Sequence, residues 1–230
     1  MAIPHALVAV IVPVYNESSV IANTIENLLR YPFTVIVVDD GSTENIRDAI
    51  KDYPVYFLQH LTNLGQGAAL QTGICFAQKL NMQYFVTFDA DGQHNAEDIE
   101  PMVAYLIDNH LDIVFGSRFL GVKAEGMAPS RRLLLKAAIW INYLFSGLKL
   151  SDAHNGFRAM NQVFAKKVSL TENRMAHATE ILMETQSNHL KYGEFPTKVF
   201  YTDYSKGKGQ TSSDALKILQ SLIMKKILRQ

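Results

Sequence analysis

Three continuous apolar runs, Leu7 to Val14, Phe33 to Val38 and Tyr84 to Phe88, each break off at a polar turn, and helically periodic stretches separate them. Apolar residues at nearly every position, rather than every second one, mark strands covered on both faces, as in a parallel sheet. Val55 to Leu58 and Asp112 to Phe115 read as two further strands. Val20, Ile21, Ile25, Leu28 and Leu29 fall at helical spacing behind Ser18 or Ser19, either of which suits an N-cap. Further helices are expected over Ile46 to Lys51, from the Gly65-Gln66-Gly67 turn to about Leu80, and over Ala96 to Asn109. Strands alternating with helices at this spacing build right-handed βαβ units and a mainly parallel, Rossmann-like α/β sheet flanked by helices.

In such sheets ligands bind outside the carboxyl ends of the strands. Tyr15 to Glu17, Asp39-Asp40-Gly41-Ser42, Asp89-Ala90-Asp91-Gly92-Gln93-His94 and Ser117-Arg118 all fall there. Asp89 and Asp91 sit two residues apart at a strand end, and two carboxylates held close together are relieved by a divalent cation. Hard oxygen donors of this kind suit Mg2+ or Mn2+ with substrate phosphates completing the shell. Read alone, Asp89-Ala90-Asp91 is also an ordinary acidic surface turn. The Gly65-Gln66-Gly67 helix start offers backbone N–H groups to a phosphate, or is simply a tight loop.

Lys plus Arg equals Asp plus Glu at 22 each, so no overall field recruits nucleic acid and an anionic ligand must be held by local groups. The 230 residues, 48% of them hydrophobic, suffice for one large domain. The single cysteine, Cys75, excludes an intrachain disulfide and is expected as core in a reducing compartment. The N-terminal run ends at Pro13 without a basic region and reads as a first strand rather than a leader.

The second half differs. Leu133 to Leu148 is apolar but interrupted by Lys136 and Asn142, which fits a core helix or one lying in a membrane interface. After Asp152 to Arg158 comes a short helix, then one carrying Glu180 and Glu184, and Glu194 to Tyr201 alternates like an edge strand. Residues 206–230 read as a glycine- and lysine-bearing loop and a basic amphipathic helix, which packs on its own domain or meets an anionic membrane.

Val12-Pro13-Val14-Tyr15-Asn16-Glu17, Val37-Val38-Asp39-Asp40-Gly41-Ser42, Asn63-Leu64-Gly65-Gln66-Gly67, Asp89-Ala90-Asp91-Gly92-Gln93-His94, Gly116-Ser117-Arg118 and Asn155-Gly156-Phe157-Arg158 stand in this order. Together they resemble family 2 glycosyltransferases of the GT-A fold, in particular the dolichyl- and polyprenyl-phosphate sugar synthases. The resemblance covers roughly residues 5–205. It implies a GT-A domain over 1–205, with a nucleotide-sugar half, 1–118, and an acceptor half, 119–205. It further implies inverting transfer of a sugar from a UDP- or GDP-sugar, with Mg2+ or Mn2+. By position it assigns Pro13, Tyr15, Glu17, Asp39, Asp40, Gln66 and Asp89 to the nucleotide. Asp89, Asp91 and Gln93 are assigned to the metal, and Arg118, Arg131, Arg132 and Lys206 to an acceptor phosphate.

The acceptor decides what else the site needs. A phosphate monoester is already anionic near neutral pH and needs cations, whereas a sugar hydroxyl needs a positioned carboxylate, for which Asp152 and Glu180 are the candidates. Asp152 also suits a turn, and Glu180 a solvated helix face. His94 and His154 are read as diphosphate contacts or as structural groups. The expected function is transfer to polyprenyl phosphate at the inner face of the cell membrane, with Asp91, Asp152, Glu180 and Arg118 as catalytic candidates and transmembrane subunits as partners. The alternative is extension of a saccharide at a hydroxyl. A nucleotidyltransferase would carry a Gly-Gly-x-Gly-Thr-Arg-type loop where Tyr15-Asn16-Glu17 stands, and a sugar-nucleotide sensor would not need the acidic cluster.

Overall fold

The computed structural model describes residues 5–120, 139–140, 143, 147–153, 155–171 and 176–198. Arg131, Arg132, His154, Lys206, most of the apolar stretch over 133–148 and the expected C-terminal helix lie outside the described residues. Seven strands form one sheet: β1 (Val8–Val14), β2 (Thr34–Asp39), β3 (Tyr56–Gln59), β4 (Tyr84–Thr87), β5 (Ile113–Ser117), β6 (Arg158–Asn161) and β7 (Tyr192–Pro196), in the order β3-β2-β1-β4-β6-β5-β7. All neighbours are parallel except β6, which runs antiparallel to both β4 and β5.

The helices α1 (Ser18–Leu28), α2 (Ile46–Ile50), α3 (Gln66–Lys79), α4 (Ile99–Asp108), α5 (Gln162–Lys167) and α6 (His177–Ser187) cover the sheet. Val8, Val10, Val12 and Val14 join a core with Ile21, Ile25 and Leu28 of α1 and Ile99, Met102 and Leu106 of α4. Ala9 and Ile11 join another with Leu70 and Ile74 of α3, Phe164 of α5 and Ile181 and Leu182 of α6. Alternate β1 side chains therefore enter opposite cores, and this double coverage is why the run carries no polar residue.

The strand expected over Glu194 to Tyr201 begins earlier, at Tyr192, and holds the edge position beside β5. Strand β6 was not legible as a strand: it is four residues long, opens on Arg158 and closes on Asn161, and its alternation is set by its neighbours rather than its sequence. The cap of α1 also differs from expectation. Ser18 is already helical, Glu17 occupies the N-cap but its side chain does not cap the helix, and the Ser18 N–H is satisfied from across the chain by Glu44 Oε2 at 2.9 Å. Cys75, expected in the core, is exposed, because the buried positions of α3 are Gly67, Ala69, Leu70, Gly73, Ile74 and Ala77.

Candidate active site

The pairing of β1 with β4 ends at Ile11↔Thr87, while β1 continues along β2 to Val14↔Asp39. Beyond that point the two strands part, at the place where the strand order reverses direction, and Pro13 lacks the N–H that would prolong the ladder. A cavity of about 390 Å³ opens there, lined by Pro13, Val14, Tyr15, Glu17, Asp40, Asn63, Gly65, Gln66, Asp89, Ala90 and Asp91. Six of the seven residues assigned to the nucleotide line it, the exception being Asp39.

The first two loops are stitched to each other. Asn16, in the left-handed region at φ 53°, donates its N–H to Ser42 Oγ at 2.9 Å, and its side-chain oxygen accepts from the Thr43 N–H at 2.9 Å. Asp39 is fully buried, with Oδ1 accepting from the Ser42 N–H and Oδ2 from Gln59 Nε2 at 3.0 and 2.9 Å. It braces the loop from behind the cavity.

Asp40 is 3% exposed and heavily engaged. Its Oδ1 accepts from the Leu64 N–H at 3.0 Å and from His60 Nδ1 at 2.8 Å, and its Oδ2 accepts from the Gly65 N–H at 2.7 Å. A carboxylate only accepts, so the His60 ring donates through Nδ1, while its Nε2 lies 2.9 Å from Thr72 Oγ1. Asp40 thus fixes the loop that delivers Gln66 to the first turn of α3.

Asp89 is the meeting point of the site. Its Oδ1 accepts from Gln66 Nε2 at 3.0 Å and its Oδ2 from His94 Nε2 at 3.0 Å. Burial pushes its carboxyl up, but the His94 hydrogen bond and the charges of His94, Arg158 and His177 outweigh burial and hold it below the usual carboxylate range. Gly156 lies so close that a Cβ there would stand 2.3 Å from Oδ2. The His94 ring packs between Phe88 and Phe157, with centroids 5.5 and 5.2 Å away, and its side chain is 4% exposed. His94 therefore supports Asp89 from within the fold.

Asp91 also lines the cavity, and its two oxygens accept from the Gln93 N–H at 3.0 Å and Gln93 Nε2 at 2.8 Å. The described residues contain no cluster of three His, Cys, Asp or Glu able to hold a metal by themselves. Asp89 and Asp91 line the cavity while Gln93 does not, and carboxylate oxygens of this kind suit Mg2+ or Mn2+ when phosphates supply the rest of the shell.

Arg118, at the end of β5, forms a bidentate pair with Asp152, Nε to Oδ2 at 2.6 Å and Nη2 to Oδ1 at 2.7 Å. Its backbone N–H reaches Oδ2 as well, at 3.1 Å, and Asp152 is 2% exposed. Glu194 of β7 clamps the same turn, its Oε1 accepting from the Ser151 N–H and Oγ, both at 2.7 Å. Asp152 is thus tied to Arg118 through both oxygens. Glu180 in α6 is turned to Thr171, whose N–H and hydroxyl donate to its carboxylate, and it does not line the cavity.

Four contributors were not assigned from sequence. Arg158, 1% exposed, lies within electrostatic reach of Asp89 and Asp152; Gly156 presses on Asp89; His60 holds Asp40; Glu194 holds the Asp152 turn. The Asn155 to Arg158 motif marked the first two as a unit, but not what they touch.

The family model described as Glycosyl transferase family 2 matches residues 9–169. An uncharacterized protein of Methanocaldococcus jannaschii is 34% identical over 95% of this chain and 91% of its own length. The UDP-N-acetylglucosamine--dolichyl-phosphate N-acetylglucosaminyltransferase of Methanococcus voltae is 31% identical over 96% of each chain. The undecaprenyl-phosphate mannosyltransferase of Micrococcus luteus is 31% identical over 66% of this chain and 65% of its own. Among solved structures, glucosyl-3-phosphoglycerate synthase from Mycobacterium tuberculosis, in complex with Mn2+, UDP and phosphoglyceric acid, superposes with a TM-score of 0.68. At 16% identity, it covers 95% of this chain and 76% of its own, a likeness of fold.

Proposed function

This chain belongs to glycosyl transferase family 2 and is a glycosyltransferase; on that premise we propose that it moves a sugar from a nucleoside-diphosphate sugar to a polyprenyl phosphate at a membrane surface. The observation that carries the acceptor is the state of the two candidate bases. Asp152 is bound at both oxygens by Arg118, and Glu180 by Thr171. A phosphate monoester, with a second pKa of about 6, attacks as an anion and needs neither of them. The names of the two transferases from Methanococcus voltae and Micrococcus luteus, both acting on a lipid phosphate, support the same reading. Among the described residues no helix is long and apolar enough to cross a membrane.

The donor fits the cavity between β1 and β4. Tyr15, Glu17, Gln66, Asp89 and Asp91 are among the residues that line it. Asp91, Asp89 and the Gln93 amide oxygen would hold Mg2+ or Mn2+, which supplies positive charge against the departing diphosphate. The protein's part is to keep the donor rigid, so that the acceptor oxygen lies in line with the anomeric carbon on the face opposite the diphosphate. Asp40 does this by anchoring the loop before α3, and Gln66 and His94 by fixing Asp89 from two sides. On the acceptor side Arg118, aligned by Asp152, presents a guanidinium to the incoming phosphate.

The test is transfer from a panel of UDP- and GDP-sugars to a short-chain polyprenyl phosphate, with Mg2+ or Mn2+ and with EDTA. Metal-dependent appearance of a phosphate-linked lipid sugar is the expected result. Donor hydrolysis with no lipid product would overturn the acceptor and favour transfer to a saccharide hydroxyl.

A further inference from the structure

Arg158 opens β6, in register with Thr87 of β4 on one side and Phe115 of β5 on the other. Its side chain is almost wholly enclosed, 1% exposed, and its Nε and Nη1 have no hydrogen-bond partner among the described residues. Burial lowers its pKa to about 10, and the charges of Asp89 and Asp152 oppose that fall, so it stays a cation at neutral pH. A buried cation with unspent donors is a poor structural filler. An apolar side chain of similar volume is commonly neutral or stabilising at such a place, so the fold by itself has no need of this one.

The two carboxylates whose charges act on it belong to different halves of the site. Asp89 lines the donor cavity, held by Gln66 and His94, while Asp152 aligns Arg118. The Asp152–Arg118 pair is neutral by itself, which leaves Arg158, among the described residues, as the permanent positive charge acting on Asp89. We propose that Arg158 is a positioning residue for both halves: its guanidinium is the common counter-charge that keeps Asp89 seated against Gln66 and His94 and Asp152 seated against Arg118. This rests on the reading of the cavity as the donor site. Arginine suits the task because its charge is not lost by deprotonation at neutral pH.

The test combines Arg158→Met, Arg158→Lys, Asp89→Asn and the Arg158→Met/Asp89→Asn double variant in two readouts. In transfer, Arg158→Met folds and its kcat falls about 100-fold, Arg158→Lys recovers about tenfold of that, and the double variant is no slower than Asp89→Asn alone. In thermal unfolding without any ligand, the double variant melts above Asp89→Asn, because the single change leaves a buried cation facing one carboxylate fewer. Wild-type kcat in Arg158→Met, or additive effects in both readouts, would overturn the proposal. Unfolding is read without donor or acceptor, so failure of the wild-type chain to transfer any sugar would count against the proposed reaction while the unfolding cycle still decides the role of Arg158.

Discussion

Replacing Gly156 by alanine should disable the proposed donor site through a single methyl group. The added Cβ would stand 2.3 Å from Asp89 Oδ2 and 2.9 Å from its Cγ and Oδ1, far inside ordinary contact. Backbone retreat is blocked on both sides. The Gly156 carbonyl accepts from Thr87 Oγ1 at 2.6 Å, and the next residue, Phe157, is held through its N–H by Asn155 Oδ1 at 3.0 Å and through its carbonyl by the Gly116 N–H at 2.9 Å. Asp89 must therefore swing away, and it forfeits the hydrogen bonds from Gln66 and His94, both 3.0 Å long. Hydrogen bonds to an ionised group contribute about 1.5–3 kcal/mol each. The Asp89 side chain is 29% exposed, so the lower end applies to each. The sum, about 3 kcal/mol, corresponds to a loss of roughly 150-fold in kcat/KM. Steady-state transfer and calorimetric titration of the nucleoside diphosphate with Mn2+ should both register the loss, with the far-ultraviolet circular dichroism spectrum unchanged. Transfer and binding within threefold of the wild type would refute the claim that the seating of Asp89 governs the donor site.

Asp152→Asn removes one partner of a buried pair and should cost about 3 kcal/mol of stability, lowering Tm by roughly 6–12 °C. It should reduce transfer without altering the shape of the pH–rate profile, whereas loss of a general base would remove the profile's acidic limb. Gln66→Leu removes one donor from Asp89 and should weaken donor binding about 12-fold, roughly 1.5 kcal/mol for one such bond, with little change in Tm. Burial raises the Asp98 carboxyl above its ordinary 3.8, and the Lys198 N–H only partly offsets this. Between the unfolded and the raised folded value the native state holds more protons than the unfolded chain. The stability contributed by protonated Asp98 is therefore full below 3.8 and lost as pH rises through the folded value. Asp98→Asn should accordingly gain Tm relative to the wild type as pH is raised from about 3 to 7, and a pH-independent difference between the two would contradict the assignment.

The sheet was largely readable because its central strands carry their evidence locally. β1 and β2 are covered on both faces, so each run is apolar nearly throughout, and each ends where the chain meets solvent at the carboxyl edge. The position of the site followed, since the polar residues of a doubly wound sheet collect at that edge, and Tyr15, Glu17, Asp40, Gln66, Asp89 and Asp91 do line one cavity there. The same local reading misplaced Cys75, because its apolar neighbours Ile74 and Ala77 concealed that residue 75 faces outward on α3.

What individual side chains do depended on contacts between segments far apart in the chain. Asp152 and Glu180 look like free carboxylates in the sequence, and only folding gives them Arg118 and Thr171 as partners. Strand β6 has no periodicity of its own to announce it, yet its antiparallel insertion between β4 and β5 delivers Gly156 to Asp89 and buries Arg158 near both Asp89 and Asp152. The sequence by itself determined the architecture, the edge where polar side chains gather and the residue types available for chemistry, because hydrophobic periodicity and turn residues act over a few positions at a time. Tertiary structure alone decided which of those groups are held, which are shielded and which share a charge, because burial and Coulomb interaction depend on distance in space and not along the chain.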